Sequence, residues 1–269
     1  MEGSLSVGII GVGFVGDALL ESFKRKGVQT FPYDKYKNIG SFESALQGDV
    51  IFLALPTLYK DEEVGYDKSA LHEICGKLSD SEYKGLVVIK STVEPGTTEA
   101  LYKKYGLRLV HNPEFLTART AREDFENQTH IVLGRTSNLV EEDLDALKSF
   151  YAGFYPAAKI NMCLSGESES MKSMVNTFYA IKVQIFNEFY LYCEKMGFDY
   201  SVIRDLMLEN GWINQMHTSV PGPDGQLSYG GACFPKDTSA LLVEMKKAGT
   251  PHKVLEACKI ERDIMRPHD

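Results

Sequence analysis

The chain has 269 residues, 43% of them hydrophobic and 25% charged, with a formal net charge of −8. That is the profile of a soluble globular protein with room for one large domain or two ordinary ones. The acidic balance argues against a general binder of nucleic acid or acidic membranes, while anionic small ligands need only local donors. No apolar run approaches the ~18 residues of a membrane span, and Met1-Glu2-Gly3-Ser4 lacks the basic and apolar regions of a secretory signal. Five cysteines without a CxxC and six histidines without an HExxH predict neither a disulfide framework nor a metal site. A reducing, cytoplasmic setting is expected.

In chain order, Ser6–Ile10 reads as a strand, Ala18–Lys26 as a helix and Val28–Tyr33 as a second strand. Val50–Leu55 is an apolar run closed by Pro56; Ala70–Leu78 is helical, Leu86–Lys90 a strand and Thr97–Tyr105 helical. Leu107–Val110 and His130–Leu133 read as strands and Val140–Tyr151 as a helix. Short apolar strands alternating with helices imply parallel βαβ units, hence an α/β fold: a Rossmann-type, doubly wound parallel sheet. The pattern changes near Leu164. Ser168 to Met196 contains no Gly or Pro and predicts one long central helix ended by Gly197. Its apolar residues (Met171, Met174, Val175, Phe178, Ile181, Ile185, Phe189, Tyr192) recur at three- and four-residue steps, as a core face or a helix-packing surface would. Tyr200–Glu209, Thr238–Ala248 and Pro251–Met265 read as helices, and Gly211–Pro235 as a loop too long for a mere connector. The division falls between a domain of residues 1–163 and a helical domain of residues 164–269.

Gly11-Val12-Gly13-Phe14-Val15-Gly16 is a GxGxxG fingerprint between a predicted strand and a predicted helix. In that context the first glycine makes the turn, the second admits a pyrophosphate and the third packs helix on strand. Asp34, 18 residues after Gly16, would accept both adenine-ribose hydroxyls and repel a 2′-phosphate, so NAD is expected over NADP. Lys35 and Lys37 either leave some tolerance for NADP or are simply solvated. Pro56-Thr57 and Ser91-Thr92 close two further strands; hydroxyls there either touch cofactor or substrate or simply cap helices.

Near the C-terminal end stands Gly230-Gly231-Ala232-Cys233-Phe234-Pro235-Lys236-Asp237. Two glycines that admit close backbone approach, then a thiol, a cation and an anion, suit a nucleophilic cysteine; a tight loop with an inert cysteine is the alternative. Further stretches lie between the fingerprint and this loop. They are Leu55-Pro56-Thr57, Lys90-Ser91-Thr92-Val93-Glu94-Pro95-Gly96-Thr97-Thr98 and Asn112-Pro113-Glu114-Phe115-Leu116. Then come a helix bearing Glu169, Lys172, Asn176, Asn187 and Glu188, and Val220-Pro221-Gly222-Pro223. In this order the chain resembles the UDP-glucose/GDP-mannose dehydrogenase family.

The resemblance implies an NAD-dependent, four-electron oxidation of a nucleotide-sugar primary alcohol to a carboxylate. Cys233 would capture the aldehyde as a thiohemiacetal, which is oxidised to a thioester and hydrolysed. Lys172 would stabilise the oxyanion with Asn176 one helical turn away. Asp237 would orient water and Lys172, and Thr92 and Glu114 would complete the proton-handling network. Phe115, Leu116, Tyr229, Gly230 and Gly231 would line the substrate site, and the 168–196 helix would be the seam of a homodimer. Taken singly, Lys172 reads as a solvated helix residue, Asn176 as a surface amide, Glu114 as a loop cap and Asp237 as the N-cap of a helix starting near Thr238.

Two departures narrow the expectation. Where the family commonly has a second glutamate, two residues past the PEFL leucine, this sequence has Ala118, which puts thioester hydrolysis in question. Family members also continue into a further α/β domain that closes over the nucleotide, so the resemblance covers the cofactor and central helical domains only. Two other readings stay open: a two-electron dehydrogenase of the β-hydroxyacid type, with Cys233 dispensable, and a non-catalytic NAD-binding subunit of a full-length partner.

Overall fold

Four-residue runs of Val, Ile, Leu and Phe build the centre of a seven-stranded sheet in the computed structural model, which describes residues 5–117 and 119–267. The elements run β1 (Val7–Ile10), α1 (Phe14–Arg25), β2 (Thr30–Tyr33), α2 (Phe42–Ala45), β3 (Val50–Leu53), β4 (Tyr59–Asp61), β5 (Gly65–Tyr66), α3 (Ser69–Asp80), β6 (Leu86–Ile89), α4 (Thr97–Tyr105) and β7 (Arg108–His111). Then follow α5 (Ala121–Glu126), β8 (His130–Arg135), a 3-10 turn at Glu141–Leu144, α6 (Asp145–Phe154), β9 (Lys159–Leu164), α7 (Ser165–Met196), α8 (Tyr200–Glu209), α9 (Phe234–Lys247) and α10 (Lys253–Met265). The chain divides into two compact units. One holds the residues up to Leu58 together with Tyr66–Lys172; the other holds Tyr59–Gly65 and the chain from Ser173 onward.

In the first unit the strand order is β2-β1-β3-β6-β7-β8-β9. All neighbours are parallel except β7 and β8, which pair antiparallel through Val110–Arg135 and His111–Gly134. The connection between those two strands carries only the six-residue α5 and ends on the edge of the sheet where it began, so β8 runs back. Residue alternation sorts the core onto two faces. Ile9, Phe52 and Val88 pack with Phe23 of α1, Phe125 of α5 and Phe150 of α6. Ile10, Leu53 and Ile89 pack with Leu71, Ile74 and Leu78 of α3 and Leu101 of α4. Because both faces are covered, the strands read as continuous apolar runs. β9, α2, α5 and the β4–β5 hairpin have no counterpart among the sequence expectations; β9 is only partly buried along its length, so it carries no strong apolar signal.

The second unit is helical apart from the hairpin. On α7 its fully buried apolar positions are Ala180, Phe186 and Cys193. They pack respectively with Tyr229 and Cys258 and with Tyr200, while Leu241, Leu242 and Leu255 join α9 to α10. Of the stripe read from periodicity, Met174, Phe178, Ile185, Phe189 and Tyr192 face outward. Arg262 in the last turn of α10 and Arg266 just past its end hold the loop that leads into α9. Arg262 Nε donates to the Tyr229 carbonyl (3.2 Å), and Arg266 donates to the Ser228 carbonyl (3.3 Å) and the Asp224 carboxylate (2.7 Å). Asn187 Oδ1 accepts from the Ser228 amide at 2.9 Å.

Phe23 is fully buried and makes edge-on contacts with Phe52, Phe125 and Phe150 at centroid distances of 5.6, 5.8 and 5.2 Å. Phe23→Ala is therefore expected to lower the unfolding free energy by about 3–5 kcal/mol, measured by urea denaturation.

Candidate active site

Strand order reverses between β1 and β3, and ligands of doubly wound sheets lie beyond the carboxyl ends of the strands at such a point. The fingerprint glycines follow β1 there. Gly11 adopts φ +89°. A Cβ on Gly16 would stand 1.9 Å from the Gly11 carbonyl oxygen, so α1 can approach the turn only without a side chain at that position. A Cβ on Gly13 would meet nothing within 4 Å. Gly13 is the N-cap of α1 and offers no side-chain acceptor, which leaves the first helical amides and the positive dipole end for an anion. Phe14 is exposed and Val15 partly buried in that first turn.

Asp34, just beyond β2, accepts from the Val12 amide through Oδ2 (2.9 Å) and from the Tyr36 and Lys37 amides through Oδ1 (both 3.0 Å). Partial burial would raise its pKa, but these donors and the Lys37 charge outweigh it and hold the carboxyl below its usual value. Lys37, expected to be solvated, donates to the Val12 carbonyl at 2.6 Å, so it braces the fingerprint. A turn that lacks Cβ atoms at Gly11, Gly13 and Gly16, uncapped helix amides and an ionised carboxylate together fit a dinucleotide.

The neighbouring strand ends are stapled to one another. Ser91 Oγ donates to the Leu55 carbonyl (2.6 Å) and accepts from the Leu55 amide (3.2 Å), beside Pro56; Thr57 Oγ1 donates to the Thr92 carbonyl at 2.7 Å. Beyond β7, Glu114 accepts from the Leu116 amide (2.6 Å), and its other oxygen lies 3.3 Å from Lys172 Nζ. That ammonium stands 5.2 Å from the centroid of Phe115, whose ring stacks on His130 at 5.3 Å. Lys172 is only 4% exposed and so is not a solvated helix residue.

Beneath these groups lies a buried polar layer. Lys90 donates to Asn112 Oδ1 (2.9 Å) and to the Pro113 carbonyl (3.4 Å). Asn112 Oδ1 also accepts from Tyr151 (2.6 Å), and Asn112 Nδ2 donates to the Val132 carbonyl (2.8 Å). Burial pulls the Lys90 pKa down to about 7; the Glu114 charge works against this and the Lys172 charge adds to it. Burial likewise pulls His111 down to about 3, leaving a neutral imidazole. Its Nε2 faces the Ser91 carbonyl (3.3 Å) and so carries the proton, and Nδ1 accepts from Ser168 Oγ (2.8 Å). Glu169 accepts from the Gly96 and Thr98 amides and the Thr98 hydroxyl, at 2.6, 2.8 and 2.6 Å; burial nevertheless pushes its carboxyl up to about 7.

The second unit holds the remaining candidates. Helix α9 begins at Phe234, with Cys233 as its exposed N-cap and Pro235 in its first turn, where the missing N–H costs nothing. Asp237 is therefore not an N-cap, as its position before Thr238 allowed; it lies inside the helix, its amide donating to the Cys233 carbonyl at 2.9 Å. Fully buried, its carboxylate accepts from Asn176 Nδ2 (2.6 Å) and from Lys236 (2.5 Å). Asn176 is thus no surface amide. Gly231 takes φ +78°, while Tyr229 is buried among Ala180 and Cys258. Ala118 lies outside the described residues.

Sequence models describe two parts of this chain. Residues 33–155 match the NAD binding domain, and residues 166–261 the central domain, of the UDP-glucose/GDP-mannose dehydrogenase family. The chain belongs to that family. Its cofactor is NAD. The chain is 30% identical over 247 residues to UDP-glucose 6-dehydrogenase AglM of Haloferax volcanii, covering 86% of this chain and 56% of the relative. It is 31% identical over 232 residues to UDP-glucose 6-dehydrogenase TuaD of Bacillus subtilis, covering 82% and 47%. It thus spans about half the length of the curated relatives it matches. In fold it is similar to a UDP-glucose dehydrogenase from Pyrobaculum islandicum (TM-score 0.82, 24% identity, 96% of this chain and 68% of that one). It is also similar to 3-hydroxyisobutyrate dehydrogenase of Mycobacterium tuberculosis (TM-score 0.76, 16% identity, 99% and 95%).

Lys90 and Glu169 stand in the family stretches of the sequence but draw no role from it, because their partners are distant in the chain. Arg262 and Arg266, at and just beyond the end of α10, gave no such signal, because the loop they hold lies 33 to 42 residues earlier in the chain. Lys90 generates a pH prediction. Its pKa falls from the ordinary 10.5 to about 7 on folding, so across that window the unfolded chain binds more protons there and stability rises with pH. The contribution is fully present above the unfolded value and is lost as pH falls through the folded one. Lys90→Met is expected to remove this component, so that calorimetric midpoints of the variant, compared with wild type, are most favourable near pH 7 and lose that advantage toward pH 10.

Proposed function

We propose that this chain is the catalytic portion of an NAD-dependent nucleotide-sugar 6-dehydrogenase that oxidises UDP-glucose, or a related nucleotide sugar, to the uronate. NAD, when bound, accepts a hydride in each of two successive oxidations. The observation that carries the reading is the environment of Asp237: in the first turn of the helix headed by Cys233, a buried carboxylate bonded to Asn176 and Lys236. Asn176 follows Lys172 on α7 by one turn, and Lys172 pairs with Glu114.

In this proposal Thr92 and Glu114, through ordered water, receive the proton that the primary alcohol must lose. Cys233 Sγ then bonds to the aldehyde carbon, and the new oxyanion is met by the Lys172 ammonium and the Asn176 amide. The second oxidation converts this thiohemiacetal to a thioester. Asp237 orients the water whose oxygen replaces sulfur at the carbonyl carbon, releasing the carboxylate and returning the thiol. Holding the aldehyde on sulfur keeps a reactive intermediate from escaping. Gly230 and Gly231 allow the sugar to approach the backbone beside Cys233. Phe115, Leu116 and Tyr229 are proposed to border the substrate, with residues 1–163 holding the cofactor and one side of the sugar, and residues 164–269 the other side of the sugar and the subunit contact.

A second reading, a two-electron oxidation of a small hydroxy acid, draws on the near-equal extent of the fold shared with the mycobacterial protein. Incubation with NAD and UDP-glucose separates the two. Two equivalents of NADH per sugar are expected, and Cys233→Ser should yield at most one. Full activity of Cys233→Ser favours the second reading; NAD binding without turnover of any nucleotide sugar defeats the first.

A homodimer built on α7 is supported by the exposed Met174, Phe178, Ile185, Phe189 and Tyr192 on that helix, a row of apolar side chains that water would otherwise cover. No helix among the described residues is long and apolar enough to cross a membrane. Cys75, Cys163, Cys193 and Cys258 are free thiols, which suits a reducing cytoplasm. Placing two charges in the row, as Phe178→Glu with Tyr192→Glu, is expected to turn the dimer into a folded monomer, read by sedimentation with unchanged circular dichroism. A wild-type monomer at high protein concentration would contradict the seam.

A further inference from the structure

Glu169 touches no reacting group in the chemistry proposed above, yet its carboxylate is fully buried and bonded to three donors. Those donors head α4, whose N-cap, Gly96, takes φ +90° and has no side chain to cap the helix. The acceptor that the free amides need comes instead from α7. One residue earlier, Ser168 donates to His111 at the end of β7 (2.8 Å). Gly134 of β8 makes room: a Cβ there would lie 2.6 Å from the Ser168 Cβ and 3.0 Å from the Ser165 Cα. The first two turns of α7 are thus fixed in rotation and height against the segments that follow β6 and β7. Lys172 is three residues past Glu169, on the same face, and meets Glu114 at 3.3 Å.

We propose that Glu169 is a positioning residue: by capping α4 from α7 it sets the register of α7, so that the Lys172 ammonium is held at Glu114 and the Ser91–Gly96 segment is held beside it. A slip of one residue would move Lys172 about 1.5 Å along the axis and turn it by about 100°, enough to break the pair. For its effect on turnover the inference rests on the function proposed above; for the placement of Lys172 it does not.

Glu169→Gln tests it, because the amide keeps the size of the side chain but points an NH2 group at backbone N–H donors. Thr98→Val is the control: it removes one bond, and some stability, while leaving the carboxylate on two backbone amides. Two quantities are read in the full chain: NADH formation from UDP-glucose, and acetylation of Lys172 by a water-soluble acetylating ester, followed by peptide mass spectrometry. In Glu169→Gln, kcat is expected to fall by about tenfold to a hundredfold with the KM for NAD little changed. Lys172 is expected to label roughly fivefold faster as its turn loosens. Thr98→Val should match wild type in both. If Glu169→Gln does not fold, Ser168→Ala replaces it, with shifts in the same direction and smaller.

Unchanged Lys172 labelling in the variants that fold would overturn the inference, as would Thr98→Val shifting kcat and labelling as far as Glu169→Gln. If the wild type turns over no nucleotide sugar but Lys172 labelling still rises in Glu169→Gln, the functional reading fails and the placement of Lys172 by Glu169 stands.

Discussion

The contact of the first two turns of α7 with the carboxyl edge of the sheet is the constraint that the first unit's chemistry depends on. Three kinds of interaction meet there. Gly134 supplies space that no other residue could, Ser168 and His111 supply a neutral hydrogen bond, and Glu169 supplies charge-assisted bonds to α4. Steric fit forbids displacement toward β8, while directional bonds resist rotation. Charge-assisted hydrogen bonds contribute about 1.5–3 kcal/mol each, so losing the Glu169 set would be felt over the whole turn. The same helix then delivers Lys172 to Glu114. A long helix is a rigid ruler only if one end is pinned, and here the pinned end lies within two turns of Lys172.

Burial drives the electrostatics of this region in opposite directions for acids and bases. Lys90 is brought down to about 7 and Glu169 up to about 7, while His111 loses its charge altogether. In each case desolvation of the charged form is the leading cause. The layer survives because each polar group has a partner: carbonyls and an amide oxygen for Lys90, backbone amides for Glu169, a hydroxyl and a carbonyl for His111. A neutral His111 matters for its neighbour Lys90, since another cation beside it would add to the pull on that ammonium. Perturbed groups of this kind collect where a fold must hold charge in place for chemistry.

The sequence made the parallel core and the cofactor turn legible because both are local. Strand runs such as Val50–Leu53 and the spacing of Gly11, Gly13 and Gly16 carry their own geometry. Periodicity could not say which way the α7 stripe faces, because a core face and an exposed face share the same three- and four-residue steps; the packing of Phe186 and Cys193 against α8 decides it. Asp237 looked like a cap because it precedes Thr238, but Pro235 tolerates the first turn and lets α9 start at Phe234. Glu169 and Lys90 were present in recognisable stretches, yet their work lies in partners 71 to 73 and 22 to 23 residues away. Such roles become visible only when the chain is folded.

The first turn of α9 poses an electrostatic problem of its own. A thiolate at Cys233 would gain from the positive end of the helix dipole and from the amides that no side chain caps. A carboxylate one turn further on would oppose it. Asp237 is held with two counterweights: the Lys236 ammonium at 2.5 Å and the Asn176 amide at 2.6 Å. Both stabilise its negative charge, and burial keeps the carboxylate from being screened by water. Lys236, adjacent in sequence, is thus more than a solvated neighbour. In the function proposed above, it would let the Cys233 thiolate and the Asp237 carboxylate share the first turn of one helix.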